Sequence, residues 1–311
     1  MLKLYVNGEL QGVKEVGKPI NATGPMTIGR IKYRGNWTNY FPGMIDELTV
    51  WQRALGADSI VKDARLRDPA TGKHAVEMVA RWNPEDAQSG EVGDSSGYRR
   101  RLVLNSGVTV KEEYFDFNGT TGAATVAGPL VDDFGSFTVT AKADIDAEAL
   151  AKQPNGYKAQ VIGQRTSGYS SWGIWFEKTS ARRIEEEGKP DDPFRTKYVV
   201  KGRWYFGRLS QDGSTASIGT DGVIESGSPV RLTGVHDAQS GTAALYMGDI
   251  RQGDPTDFSP LTSTGSLAVG KGFTKGEWGH HFPGRISRLR LWSGAMKDKE
   301  QVGHHILGKD Y

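Results

Sequence analysis

FPGMIDELTVW at residues 41–51 and FPGRISRLRLW at residues 282–292 decide the fold, because one pattern occurs twice at a spacing of 241 residues. The match continues outward without a gap, so that Trp37 aligns with Trp278. Glycines and aromatic residues recur at fixed spacing where a turn or a packed face demands them. The spacing therefore predicts a true duplication within the chain.

The repeat sets the expected domain boundaries. A unit of about 241 residues fits once, so residues 76–311 are predicted to be a complete domain and residues 1–66 the C-terminal fragment of a preceding copy. Residues 67–75 (RDPATGKHA) have the composition of a linker. The fragment should lack most of its strands, which leaves apolar faces and strand edges uncovered. We expect either that the parent protein supplies those strands before Met1 or that the fragment leans on the second copy.

Short runs of branched and aromatic residues between glycine-containing turns predict strands. The clearest runs are FTVTA at 137–141, GIWF at 173–176, RWYF at 203–206, VRLTGV at 230–235 and TAALYM at 242–247. Their even spacing predicts an all-β fold, built as an antiparallel two-sheet β-sandwich of the jelly-roll kind. Short helices are expected after the repeated tryptophan motif, at residues 57–64 and 298–302.

Two segments depart from regular strand patterning. Ile286, Leu289 and Leu291 break strict alternation by one residue, which predicts a β-bulge. Residues 182–193 (RRIEEEGKPDDP) combine dense mixed charge with two prolines, which predicts a solvated loop between two strands.

The composition excludes several classes of function. The chain has 311 residues and a formal charge of +2 without a block of one sign, so nucleic acid is not an expected partner. No run of about 18 apolar residues occurs, so no membrane span is expected, and the first residues lack the apolar run of a secretory signal. The absence of cysteine excludes disulfides and thiolate chemistry.

Several segments, taken in their order, resemble a known family. They are LYVNG at 4–8, FPGMIDEL at 41–48, GDSSGY at 93–98, FDFNG at 115–119, SFTV at 136–139 and GVHD at 234–237. The set is similar to that of laminin-G-like domains of the concanavalin A-like lectin/glucanase superfamily, and it most resembles tandem copies in large bacterial secreted proteins. The resemblance implies an extracellular or cell-surface location, and a glycan or surface protein as partner beside other domains of the parent protein. Lys142 departs from it, because such domains usually have tryptophan there.

The same resemblance implies calcium as a cofactor. In such domains the aspartate of the Gly-x-Ile-Asp-Glu segment helps to hold calcium with oxygens of the Phe-Asp-x-x-Gly segment, which suits a hard cation. Those positions are Asp46 in the first copy and Asp116 and Asn118 in the second, where Ser287 replaces the first aspartate. The alternative is that Asp46 is a turn or surface acid.

Aromatic residues with basic neighbours in equivalent loops are candidate ligand contacts. Sugar rings stack on aromatic faces while charged and amide groups bind hydroxyls. The candidates are Trp37 and Tyr40 in the first copy, Lys275, Trp278 and His280 in the second, and Tyr169 and Trp172 as further contacts. The alternative is that Trp37 and Trp278 are packing anchors, since both copies keep them while the rest of the loop varies.

Catalysis and zinc binding are not favoured. Glucanases of the superfamily use two nearby carboxylates, and the closest local pair is Asp46 with Glu47. Adjacent strand residues face opposite sides of a sheet, and the second copy has Ser287 and Arg288 there, so no enzyme activity is expected. Histidines gather near the C-terminus, but no acid or cysteine stands beside them at the spacing of a zinc motif.

These observations favour a non-catalytic, carbohydrate-binding module of a larger extracellular protein. A structural or protein-interaction domain is the alternative, and a glucanase-type glycoside hydrolase is a third interpretation that the missing acid pair argues against.

Overall fold

The computed structural model of the chain describes most of the second copy and parts of the first. The described residues are 1–6, 9–17, 24–43, 45, 48, 50, 54–57, 60, 76–131, 135–187, 194–209, 215–238, 240–258 and 265–308. The predicted linker 67–75 and Asp46 lie outside the described residues.

The first copy contributes two separate antiparallel hairpins. One joins β1 (Leu2–Val6) to β2 (Glu9–Lys14), and the other joins β3 (Ile31–Tyr33) to β4 (Asn36–Thr38). Of the helix predicted at 57–64, the described part shows the Ile60 N–H donating to Gly56 O at 3.1 Å.

The second copy consists almost entirely of strands. In chain order they are β5 (Glu77–Gln88), β6 (Glu91–Asp94), β7 (Leu102–Leu104), β8 (Val108–Val110), β9 (Phe115–Asn118), β10 (Ala124–Val126), β11 (Phe137–Ile145), β12 (Lys158–Arg165), β13 (Ser170–Glu187), β14 (Phe194–Leu209), β15 (Thr215–Gly219), β16 (Ile224–Glu225), β17 (Val230–Asp237), β18 (Thr242–Met247), β19 (Ile250–Asp257), β20 (Leu267–Val269), β21 (Gly272–Thr274), β22 (Glu277–Gly279) and β23 (Pro283–Ser293). All five strands predicted from their sequence runs are present.

Most of these strands form two ladders. The first ladder has the order β9–β23–β11–β17–β18–β19, with β8 beyond β9 and with β5 beside the C-terminal half of β23. The second has the order β6–β7–β10–β20–β12–β13–β14, with β15 and β16 on the far edge of β14. Pairing of β5 with β6 joins both ladders into one network. Every pairing among the described strands is antiparallel, which confirms the all-β prediction.

The core lies between the two ladders. Phe137 of β11 contacts Trp172 of β13 and Phe206 of β14, with ring centroids 5.0 and 6.2 Å apart. Val139 and Ala141 follow Phe137 at alternate positions of β11 and are fully buried in the same core. Burial of one large apolar side chain contributes about 1.5–3 kcal/mol, so strand alternation and packing together stabilise this arrangement.

Two short helices flank the strands. They are α1 (Ala147–Ala151) and α2 (Lys299–Val302), and the latter continues in a π-helical turn, Gly303–Leu307. Asp298 caps α2 by accepting the backbone N–H bonds of Glu300 and Gln301, which confirms the helix predicted at 298–302. None of the described helices is long and apolar enough to cross a membrane.

The predicted β-bulge is present in β23. Thr140 pairs with Arg290 and Lys142 with Ser287, so β23 has one more residue than β11 between these two pairs. Arg288 occupies the bulge with a left-handed φ of 53°. The extra residue explains how Ile286, Leu289 and Leu291 are all buried in spite of their irregular spacing.

The prediction of a loop is wrong for residues 182–187 of the charged segment, and residues 188–193 lie outside the described residues. Residues 182–187 continue β13 and pair with β14 from Glu187 opposite Phe194 to Arg182 opposite Val199. Backbone pairing tolerates charged side chains when they face solvent, as Arg182 and Arg183 do. Because of its dense charge, the sequence of this segment did not indicate that it forms part of a strand.

Local geometry recurs in the first copy at the spacing of 241 residues. Tyr5 pairs with Leu10 in β1–β2, and Tyr246 pairs with Arg251 at the equivalent positions of β18–β19. The Phe41 N–H donates to Gly29 O at 2.8 Å, and the equivalent bond from Phe282 to Gly270 measures 2.9 Å.

Burial differs sharply between equivalent positions of the two copies. Leu245, Phe282 and Leu289 are fully buried in the second copy. Their equivalents Leu4, Phe41 and Leu48 are 63%, 57% and 56% exposed. The first copy thus repeats two hairpins of the second copy, but its described residues at the positions of β20 and β23 are not in strands, and the matching apolar positions are open to solvent.

Candidate functional site

The hairpin formed by β21 and β22 presents Trp278 at the surface. Its two-residue turn has Lys275 at φ 53° and Gly276 at φ 82°, a pair of left-handed residues typical of the tightest hairpins. The turn sets Phe273 directly opposite Trp278. The ring centroids of these two residues are 4.9 Å apart in an edge-to-face arrangement, which orients the tryptophan.

Cations surround the Trp278 ring, which remains 36% exposed. Lys271 Nζ lies 4.1 Å from the ring centroid and Arg165 Cζ lies 5.7 Å from it. Burial, followed by the charge of Arg165, lowers the pKa of Lys271. The exposed turn residue Lys275 adds another ammonium group on this hairpin. An aromatic face beside several N–H donors can stack a sugar ring and bind its hydroxyls.

His280 fixes the base of the hairpin rather than facing outward. Its Nε2 lies 3.0 Å from Thr274 Oγ1, and its backbone O accepts the Gln160 N–H at 3.0 Å. Burial lowers the pKa of His280, with smaller contributions from Lys158 and His281. The ring therefore contacts β21, while the backbone of His280 holds the end of the hairpin against β12.

The turn that contains Tyr169 is attached to the same hairpin. The Gly276 N–H donates to Gly168 O at 3.0 Å, and Ser170 Oγ donates to Phe273 O at 3.1 Å. Tyr169 is half-buried within this turn. The structure thus brings Tyr169, Trp278 and His280 into one region.

Trp172 is wrong as a ligand contact. It is fully buried, and it shares the core-facing side of β13 with Ile174 and Phe176. Strand alternation turns its ring inward onto Phe137, so no ligand reaches it.

The equivalent hairpin of the first copy repeats the arrangement. Trp37 is 37% exposed and Arg30 Cζ lies 4.1 Å from its ring centroid, as Lys271 Nζ does over Trp278. Arg34 and Gly35 form the left-handed turn, with φ 47° and 85°. Tyr40 follows the hairpin and is 63% exposed.

The described members of the expected metal site do not fit calcium. Asn118 Oδ1 accepts the backbone N–H bonds of Thr120, Thr121 and Gly122 at 2.8–3.0 Å, which satisfies that oxygen inside the loop. Asp116 lies on β9 opposite Arg285, and within the described ranges no group of three His, Asp or Glu side chains could hold an ion. Calcium needs several oxygen ligands, and Asp46 lies outside the described residues, so its role stays a prediction.

A cleft on the outer face of the first ladder has no counterpart among the sequence motifs. Its volume is about 590 Å³, and its walls include Tyr114, Lys142, Asp144, Arg285, Ser287 and Arg288. Arg285 Cζ lies 4.8 Å from the Tyr114 ring centroid, and Arg285 Nη1 lies 3.8 Å from Asp144 Oδ2. Lys142, Ser287 and Arg288 each stood out in the sequence, but only the register of β11 on β23 brings them together.

Comparison with known families supports the resemblance drawn from the sequence. Residues 1–61 match the Laminin_G_3 family, described as the concanavalin A-like lectin/glucanases superfamily. The resemblance is thereby confirmed for the first copy. No curated protein matches the chain.

Solved structures of similar fold have low sequence identity. Trypanosoma rangeli sialidase in complex with sialic acid is 12% identical with a TM-score of 0.50, covering 78% of this chain and 36% of that one. Domain 4 of AbnA, a GH43 extracellular arabinanase from Geobacillus stearothermophilus in complex with arabinotriose, is 15% identical with a TM-score of 0.41, covering 73% and 97%. A heptameric SAP-like pentraxin from Limulus polyphemus is 14% identical with a TM-score of 0.36, covering 54% and 69%. The chain spans only about a third of the sialidase's length.

Proposed function

We propose that the chain is a non-catalytic carbohydrate-binding module whose ligand stacks on Trp278. In this proposal the two ladders are the two sheets of a concanavalin A-like sandwich, and the β21–β22 hairpin is a binding platform at its surface. The proposal also places the chain outside the cell, as one part of a larger protein with tandem copies.

The equal exposure of Trp278 and Trp37 carries the proposal. The first copy leaves Leu4 and Phe41 open although their equivalents in the second copy are fully buried. The tryptophan keeps nearly the same exposure, 37% and 36%, whether or not those apolar positions are covered. A packing anchor would become buried together with its neighbours, so this behaviour favours a surface role.

The chemistry around Trp278 suits a sugar better than an apolar ligand. The indole offers a C–H-accepting face, and Lys271 Nζ and Arg165 Cζ lie within 6 Å of its ring centroid. Sugars present both an apolar ring face and hydroxyl acceptors, so one ligand can use both features. The family description, which includes lectins, supports the same class of ligand.

The absence of catalysis is part of the proposal. Ser287 and Arg288 take the positions at which the first copy has its adjacent acids, and neither can act as a carboxylate nucleophile or acid. Incubation of the purified chain with β-glucans should therefore release no reducing ends. Release above a buffer control would contradict this part.

A glycan array with matched variants tests the platform. Trp278→Ala should weaken binding about thirtyfold, as expected for an aromatic contact worth about 2 kcal/mol. Its melting temperature should stay near that of the wild type, because the ring is partly exposed. Trp278→Phe should retain part of the affinity, and Val223→Ala, which changes another exposed apolar residue, should retain all of it. Wild-type affinity in Trp278→Ala would exclude the platform.

A second candidate function is protein interaction through the first copy. Its exposed apolar positions, among them Leu4, Phe41 and Leu48, form the kind of surface that soluble proteins usually cover. Absence of signal on every glycan class, together with capture of a protein partner that Leu48→Ser abolishes, would favour this function over carbohydrate binding.

A further inference from the structure

Basic residues crowd the outer face of the first ladder, away from the Trp278 hairpin. Arg290 of β23 pairs with Arg81 of β5, and Lys142 of β11 pairs with Arg231 of β17. Arg288 lies in the bulge of β23 between them. We call Arg81, Lys142, Arg231, Arg288 and Arg290 the arginine cluster. Neighbouring strands lie about 4.8 Å apart, so these side chains share one small area.

Several guanidinium nitrogens of the cluster are buried without an acceptor. Nε and Nη1 of Arg231 and Nε of Arg290 have no hydrogen-bond partner among the residues that the structure describes. The Nη1 of Arg290 does reach His305 O at 3.4 Å, a long bond to the C-terminal turn. Buried N–H groups of a charged side chain are costly to leave unpaired, so the geometry favours an acceptor that the described residues do not supply.

The charges near the cluster also favour a bound anion. Burial, then Arg290 and Arg288, lowers the pKa of Arg231 to about 10. Burial, then Arg81 and Arg288, lowers the pKa of Arg290. The charged groups that act on both side chains are thus cations, whose mutual repulsion an anion would relieve.

Access to the cluster comes from the outer cleft. Lys142 and Arg288 belong to the cluster and also line the cleft of about 590 Å³. On the opposite side, the C-terminal turn covers the cluster through the contact of Arg290 with His305. Four acids also line the cleft, namely Glu85, Glu112, Glu113 and Asp144, and Asp144 lies 3.8 Å from Arg285, which is outside the cluster. A group that enters the cleft therefore meets Lys142 and Arg288 at the edge of the cluster.

We propose that the arginine cluster is an anion-binding site that takes a carboxylate or sulfate group. Guanidinium groups bind both through paired, charge-assisted hydrogen bonds, and several around one anion give an affinity that surface lysines do not. An acidic sugar could supply either group, as could a free inorganic anion. The site is independent of Trp278, because the β21–β22 hairpin contacts the second ladder while the cluster lies on the first.

Isothermal titration of the full chain with sodium sulfate, a sulfated oligosaccharide and oligogalacturonate, at constant ionic strength, tests the site. We expect saturable binding of at least one of them, weakened about tenfold or more in Arg231→Gln because a charge-assisted bond is lost. Arg101→Gln is the matched control, since it removes an exposed arginine paired with Glu91, and it should bind within about twofold of the wild type.

Thermal stability provides a second readout that does not depend on affinity. Arg231→Gln should melt at the wild-type temperature or above it without anion, because it removes a buried, repelled charge, and it should lose the stabilisation that the bound anion gives. Should Arg231→Gln fail to fold, the exposed Arg288→Gln serves in its place. Absence of saturable binding by all three anions, or equal binding by the wild type and the variant, would overturn the proposal. Binding of an oligosaccharide but not of inorganic sulfate, or of inorganic sulfate alone, supports the proposal and identifies the source of the anion.

Discussion

His236 lies in the core, with its ring 5.4 Å from the Phe137 ring and 5.2 Å from the Phe258 ring. Burial lowers the pKa of His236 from 6.5 to about 4, in spite of the contact between its Nδ1 and Thr242 O. The unfolded chain takes up this proton at a higher pH than the folded chain does. The free energy of unfolding should therefore fall as the pH drops from about 6.5 to about 4, by at most about 3 kcal/mol, and level off below.

Urea unfolding as a function of pH measures this effect. His236→Leu replaces the imidazole with an apolar side chain of similar size that does not titrate. The stability of this variant should therefore change less over the same pH range. The partly exposed His304, replaced by glutamine, is the matched control and should follow the wild type. An equal decline in His236→Leu and in the wild type would show that other groups cause it.

Residue identity alone predicted only part of the candidate site. Trp278 and Trp172 both stand beside glycine and polar residues in the sequence, yet one is at the surface and the other fully buried. The difference arises from which face of its strand each occupies, and that face depends on a register fixed by distant partners. Arg231 and Arg290 were not predictable for the same reason, because they lie 59 positions apart in the chain and meet only across β11.

The turn of the β21–β22 hairpin controls how Trp278 is presented. Gly276 has φ 82° and open space where a Cβ atom would lie, so Gly276→Ala would meet backbone strain rather than a steric clash. The free energy of unfolding should fall by about 1 kcal/mol, and glycan affinity should fall with it if the hairpin is the platform.

Gly279 in the same hairpin provides the control. Its Cβ position is also open, but its φ is not left-handed, so Gly279→Ala should leave stability unchanged or raise it by a few tenths of a kcal/mol. Chemical denaturation of the two variants side by side gives the comparison. A similar loss in both would mean that strain at the turn is not the cause.

Elements with a clear apolar pattern were predictable, and those without one were not. The bulge in β23 followed from three apolar residues that had to share one face, and helix α2 was expected after the repeated tryptophan motif. The arm formed by Arg182–Glu187 was missed because charged residues stand on both of its faces in the sequence, so no apolar face distinguishes it from a loop.

At the scale of the whole molecule, the repeat predicted which elements the first copy contains but not which residues of the second copy they contact. A cavity bordered by Tyr5, Leu10 and Leu130 lies between its first hairpin and the second copy, and Gly56 approaches the backbone of Gly135. Such contacts depend on surface shape, which a local sequence pattern does not encode.

Removal of residues 1–75 tests the independence of the second copy. Every member of the two apolar clusters lies between Val76 and Leu307, so the shortened chain keeps its core intact. Its melting temperature should stay within about 4 °C of the full chain, equivalent to about 1 kcal/mol.

Binding of the apolar dye ANS should fall, because exposed side chains such as Leu4, Phe41 and Leu48 are removed. Val223→Ser in the full chain is the control, since it removes one exposed apolar residue of the second copy and should leave most of the dye binding. A large loss of stability, or dye binding as strong as before, would show instead that the first copy packs its apolar side onto the second.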